Sequence, residues 1–141
     1  MSPGLGIERY VSLLFKHRIR CEAEIRERCA QKGFDEEEIE ELVRTMKENG
    51  LIDDLRFCML YAEDAFRLKT KGPRLVEQEL RQLGVTPETI GVALESVQKD
   101  VDLEEILRAH RKKQENIAEQ KWIQRMIRRG FPWQTIQQAL K

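Results

Sequence analysis

Three glycines, Gly33, Gly84 and Gly130, stand 51 and 46 residues apart, and the residues around them recur at fixed offsets. Each is followed directly by an apolar residue: Phe34, Val85 or Phe131. Six residues further on comes Ile39, Ile90 or Ile136, and ten further on Val43, Leu94 or Leu140. Eight residues before the glycine stands Ile25, Val76 or Trp122, and four before it Cys29, Leu80 or Met126. Agreement at five offsets in three copies is an internal repeat, and a period of this length implies stacked supersecondary units rather than one round core.

Each unit reads as three helices. The third is clearest in the first unit, where Ile39, Leu42, Val43 and Met46 follow the i, i+3, i+4, i+7 pattern of a buried helical face. Asp35 and Glu38 form a capping box before it, and Thr86-Pro87 supplies a cap and a first-turn proline in the second unit. Pro132 takes that slot in the third unit, so no side-chain cap is expected there. The glycines fall where the second helix ends in a left-handed residue. Second helices carry Cys21, Ile25 and Cys29; Val76, Leu80 and Leu83; and Trp122, Met126 and Ile127. First helices carry Ile7, Tyr10, Leu13 and Leu14; Phe57, Tyr61, Ala65 and Leu68; and Leu103, Ile106, Leu107 and His110. Tyr10 and Tyr61 stand at the same distance before their glycines, which extends the repeat into the first helix. No alternating strand pattern or Asn-Gly hairpin is present. The expected fold is all-α: an elongated array of three tandem three-helix repeats, nine helices, over residues 1–52, 53–100 and 101–141.

Composition agrees. Ala, Glu, Lys, Leu and Arg make up 67 of 141 residues, the usage of helical bundles and arrays. Net charge is zero but uneven: residues 1–50 and 51–100 each sum to −2, and residues 101–141 to +4. Between Arg108 and Arg129 eight bases meet only Glu115 and Glu119, which suggests an acidic partner for the C-terminal third. No apolar run reaches the roughly 18 residues of a membrane span, and Met1–Gly6 lacks the regions of a secretory signal. Cys21, Cys29 and Cys58 are odd in number and sit at apolar helical positions, as reduced core thiols of a cytoplasmic protein do.

Catalytic chemistry is missing from the sequence. Ser2, Ser12 and Ser96 stand in no nucleophile signature, and His17 and His110 lie 93 positions apart. No Cys-x-x-Cys pair or glycine-rich phosphate loop occurs, so no metal or cofactor is expected.

The turn Gly50-Leu51-Ile52-Asp53-Asp54-Leu55-Arg56-Phe57 resembles the most recognisable signature of the RecX family, bacterial regulators of the RecA recombinase. The stretch from Lys71-Gly72-Pro73-Arg74 to Leu83-Gly84-Val85 is similar to the family's second signature. Leu13-Leu14 with Arg18-Ile19-Arg20-Cys21-Glu22-Ala23-Glu24-Ile25 is similar to its N-terminal pattern. The resemblance spans roughly residues 7–140. Three positions depart from it: Cys21 replaces a capping serine, Cys58 an alanine, and Leu83 a lysine. The turn itself reads as structural, with Gly50 closing one helix, Asp53 capping the next and Asp54 adding charge to its first turn. Gly72 and Pro73 open a helix whose free N–H groups, beside Lys71 and Arg74, are expected to suit a carboxylate or phosphate.

The resemblance implies a non-catalytic cytoplasmic protein that binds the RecA–DNA filament and restrains its ATP hydrolysis, strand exchange and growth; a monomer is expected. Two groups of bases are the expected contact surface. One is Arg18, Arg20, Arg67, Lys69, Lys71, Arg74 and Arg81; the other is Arg111, Lys112, Lys113, Lys121, Arg125, Arg128 and Arg129. The rival reading is a helix-turn-helix nucleic-acid module touching DNA through the basic C-terminal repeat. Zero net charge and 6% aromatics weigh against tight primary DNA binding.

Overall fold

The structure, a computed structural model, describes residues 6–141; the Met1–Leu5 part of the segment read above for a secretory signal lies outside them. Nine helices and no strands form the described residues. The first three are α1 (Ile7–His17), α2 (Glu22–Lys32) and α3 (Glu36–Glu48); the middle three are α4 (Asp54–Lys69), α5 (Pro73–Gln82) and α6 (Pro87–Asp100). The last three are α7 (Leu103–Lys113), α8 (Glu119–Arg128) and α9 (Trp133–Ala139).

Helix boundaries follow the local chemistry. Asp35, Asp53 and Asp102 accept from the backbone N–H three residues on, at 2.9, 3.1 and 3.1 Å. Thr86 does the same from Thr89 at 3.4 Å, and Pro132 caps α9 without a side-chain bond. Gly33, Gly84 and Gly130 are all left-handed, with φ of 101, 96 and 94°, and each follows the second helix of its unit. The repeat extends to a polar contact. Tyr10 donates to the Arg28 carbonyl at 3.5 Å and Tyr61 to the Glu79 carboxylate at 2.7 Å, each reaching eighteen residues ahead.

Buried residues form two cores. One belongs to the first unit and contains Ile7, Val11, Leu14, Ile25, Phe34, Ile39 and Val43. The other runs without a break through the middle and last units, from Phe57 and Phe66 to Leu107, Trp122 and Ile136. Cys21 joins this second core from the first unit, with Ile19 and Ala23 packed against it. Three expected core residues turn outward instead: Leu13, Leu68 and Ile127 are exposed, while Val11 and Ile123 take the inner positions. Adjacent apolar pairs such as Leu13-Leu14 leave the helical face undecided by one residue, and packing chooses.

The same joint links successive units. Gly72 N–H donates to the Arg129 carbonyl at 2.7 Å, and Arg74 N–H to the Gly130 carbonyl at 3.1 Å. At the equivalent place one unit earlier, the Cys21 thiol donates to the Leu83 carbonyl at 3.5 Å. In both joints the start of one unit's second helix meets the glycine end of the next unit's second helix. The approach leaves no room for a side chain. A Cβ on Gly84 would lie 2.5 Å from that of Ala23, and one on Gly72 would lie 2.5 Å from the Gly130 oxygen.

Candidate functional site

Ion pairing separates the two groups of bases that the sequence proposes as a contact surface. In the first group the charges are mostly neutralised inside the chain. Arg18 pairs with Glu24, Arg67 with Glu63 at 3.2 Å, Lys71 with Glu79 at 2.7 Å and Arg81 with Glu77 at 3.5 Å. Lys69 and Arg74 are exposed. Among the described residues, no ion pair involves Lys69 or Arg74.

Arg20 departs from the surface expectation. It is only 8% exposed, its Nε donates to the Leu14 carbonyl at 3.3 Å, and its Nη1 lies 3.9 Å from Glu24. Burial, and then Arg18, pull its guanidinium below the ordinary arginine value. The reason is local: Arg20 lies in the short link between α1 and α2, within reach of the Leu14 carbonyl in the last turn of α1. Arg20 is a buried strut of the first unit.

The helix start at Lys71-Gly72-Pro73-Arg74 also differs from expectation. Two of its N–H groups, those of Gly72 and Arg74, are taken by the carbonyls of Arg129 and Gly130 rather than left for a ligand. Lys71 is drawn onto Glu79, which also accepts from Tyr61. Burial opposes the Glu79 charge, but Lys71 and Tyr61 together hold its carboxyl below the usual range.

Asp54 does more than charge the first turn of α4. Its carboxylate accepts from the Glu22 N–H of α2 at 2.8 Å, so it caps a helix of the preceding unit. Burial raises its pKa, against the opposing effect of that bond. The second joint has no need of this acid. Pro73 stands at the first position of α5, where Glu22 stands in α2, and has no N–H; the first residue of α7 is accordingly Leu103 rather than an acid. Cys21 keeps its part of the capping box, with its N–H donating to Glu24 at 3.2 Å, while its thiol is shared between Glu24 at 3.6 Å and the Leu83 carbonyl across the joint at 3.5 Å.

The second group, in the C-terminal unit, is mostly unpaired. Lys112, Lys113, Lys121, Arg125 and Arg128 are exposed. Among the described residues, the ion pairs of this unit are those of Arg108 with Glu104 and Glu105. Arg111 and Arg129 are exceptions with internal tasks. Arg111 donates to the Gln114 and Ile117 carbonyls at 2.8 and 2.9 Å and lies over the Trp122 ring, closing the α7–α8 turn. Arg129 donates to the Thr70 carbonyl at 2.6 Å and to that of Lys69, fastening the third unit to the C-terminal end of α4. Thr70 there adopts a left-handed φ of 49°. His110 Nδ1 accepts from the buried Trp122 indole at 3.0 Å, and burial, then Arg129 and Lys113, lower the histidine's pKa.

No group of histidine, cysteine or acidic residues suited to a metal occurs among the described residues, nor any helix long and apolar enough to cross a membrane. The thiols are buried. Cys21 is pushed up to about 11 and Cys58 to about 12 by burial, so neither forms a thiolate near neutral pH.

Comparison with known proteins agrees with this architecture. Residues 53–94 match the family model described as RecX, second three-helix domain. A protein of Thermotoga maritima named Regulatory protein RecX is 38% identical over 133 residues, which cover 93% of this chain and 80% of that protein. One of Listeria innocua with the same name is 28% identical, covering 89% of this chain and 49% of its own longer sequence. Among solved structures, a regulatory protein RecX superposes with a TM-score of 0.76 at 22% identity, over 95% of this chain and 69% of that one. RecX from Lactobacillus salivarius gives the same score at 17% identity, over 90% and 87%. A second unit matched by a family model, a relative 38% identical over most of both chains and a shared fold leave one conclusion: the chain belongs to the RecX family.

Proposed function

We propose that this protein is a non-catalytic regulator acting in the cytoplasm, which binds the RecA–DNA filament and restrains its ATP hydrolysis, strand exchange and growth. Family membership supports the regulatory role. The observation that carries the mode of binding is the contrast in pairing among the candidate bases: of the seven in the first group, Arg18, Arg20, Arg67, Lys71 and Arg81 meet internal acids, whereas five of the seven in the third unit are exposed and outside any ion pair of the described residues. Unspent charge on one end of a three-unit body attracts a polyanionic filament and speeds encounter. The joints keep the units in register, so contacts at several points act together through effective concentration.

The test is RecA's DNA-dependent ATPase measured against increasing amounts of this protein, from preformed filaments and from free subunits. Dose-dependent inhibition supports the reading; unchanged hydrolysis from both starting points refutes it. A second reading, direct nucleic-acid binding, draws on the same exposed bases. It requires comparable affinity for naked DNA with a steep salt dependence, whereas the filament regulator binds the filament in preference.

A further inference from the structure

The outer side of α4 bears an apolar groove that the fold does not use. Leu55, Met59 and Leu60 form its floor, and Val97 near the end of α6 closes it, around a volume of about 330 Å³. Leu55 and Leu60 are 40% and 43% exposed. Leu60 also walls a second depression of about 530 Å³ that runs toward Ile19 and Tyr61, so the apolar surface crosses α4 to the first joint. Arg67 pairs with Glu63 on α4 and donates to the Asp100 carbonyl at the end of α6, tying the two helices together.

Charge on the rim selects the occupant. Asp53, Glu63 and Asp100 line the groove against the single base Arg56. Arg67 neutralises Glu63 only. Asp100 is the last residue of α6, where the negative end of the helix dipole adds to its carboxylate; beyond it Asp102 and Glu104 face Lys99, and Glu104 is paired with Arg108, so the edge stays acidic by Asp100 and Asp102. A rim of this sign favours a basic occupant over a phosphate-bearing one. The volume is at the lower end of the roughly 300–1,000 Å³ of small-molecule sites, and the floor offers no converging polar groups. It suits an apolar side chain delivered by a protein.

We propose that the α4–α6 groove receives a leucine-sized or aromatic side chain from a positively charged protein segment, and that this is the registered contact of the middle unit with its partner. The inference rests on the proposed function, in which the partner is a RecA subunit of the filament. Division of labour follows. The third unit's bases supply attraction to the polyanion, and the groove supplies the short-range anchor, of the kind a helix or strand offers when its apolar face enters a cleft.

The test uses the full chain with Leu55→Glu or Leu60→Glu, compared with Leu68→Glu, which changes a residue 77% exposed on the same helix and outside the groove. All three sites are exposed, and far-UV circular dichroism checks the fold. Should a glutamate variant lose helicity, Leu55→Ala and Leu60→Ala replace it, with a smaller expected loss. Binding to immobilised RecA filaments should weaken at least about tenfold for the groove glutamates, as for central anchors in protein interfaces, and stay within about twofold for Leu68→Glu. Asp100→Lys should weaken binding in the same direction. Wild-type protein that binds filaments while the groove variants bind equally well overturns the groove assignment and leaves the function standing. Wild-type protein that binds no filament overturns the function instead. A loss confined to naked DNA binding, or to self-association by sedimentation, also overturns the assignment.

Discussion

Gly72, Gly130 and Gly33 allow the close approach between units to be weighed separately from backbone strain. Gly72 has an ordinary φ of −92° but abuts the Gly130 oxygen and the Phe131 nitrogen, each 2.5 Å from a built Cβ. Gly33 is the reverse, with a φ of +101° and nothing within 4 Å. Gly130 combines both, with a φ of +94° and the Leu75 backbone nitrogen and Cβ against it. Gly33→Ala should therefore cost about 1–2 kcal/mol from the left-handed conformation alone. Gly72→Ala should cost about 1–3 kcal/mol from overpacking against backbone, plus a few tenths from the weaker helix cap. Gly130→Ala should approach the sum, about 2–5 kcal/mol. Urea unfolding measures all three, with circular dichroism reporting every helix and fluorescence reporting only the third unit, since both tryptophans lie there. The Gly72 and Gly130 changes should move both signals together, and the Gly33 change should move mainly the first. A Gly72→Ala cost within that of the cap alone, a few tenths of a kcal/mol, would show that the second joint is not in backbone contact and refute this account of the array.

Four further outcomes follow from the third unit and the thiols. His110 has a lowered pKa in the folded state, so the stability it contributes is complete above about pH 6.5 and declines as pH falls through the folded value. In a Trp133→Phe background, Trp122 fluorescence should report this, and His110→Phe should flatten the dependence over that window. Changing Lys112, Lys113, Lys121 and Arg128 to Gln should leave helicity nearly intact, slow association with RecA filaments and flatten its salt dependence, as read from on-rates at low and physiological salt. Arg129→Gln should instead lower thermal stability, because it removes the donors to Lys69 and Thr70. Native protein should react with almost no Ellman's reagent, and unfolded protein should show all three thiols.

Much of the fold was legible because glycine, proline and capping residues announce helix ends by local chemistry. Asp35, Asp53, Thr86 and the three repeat glycines act where the sequence places them. What escaped is the pairing between units. Asp54 looks like an ordinary first-turn acid, and only the position of Glu22 thirty-two residues earlier shows which N–H it serves. The clue lay in the repeat itself: aligning Glu22 with Pro73 exposes an N–H present in one copy and absent in the other. Arg20 and Arg129 were misplaced for a similar reason. A basic residue's charge says nothing about whether its side chain meets water or a carbonyl, and both here meet carbonyls from residues far along the chain or across a turn. The exposed leucines on α4 were invisible because periodicity reports where apolar residues gather, not which of them the neighbouring helices leave uncovered.

The division of the interior into two cores gives the array a mechanical polarity. The second joint lies within one continuous core and is bridged by backbone bonds from Gly72 and Arg74 and by the Arg129 side chain. The first is held by a thiol, one carboxylate bond and the small faces of Ile19 and Ala23. Stretched between its ends, the molecule should therefore part first between α2 and α4, releasing one third of its length while the remaining two thirds hold. Lower forces would suffice for that first event than for the second, because force acts on the weakest cooperative boundary before the stronger one. Laid along a partner that twists or extends, the same molecule yields at one place and stays stiff at the other.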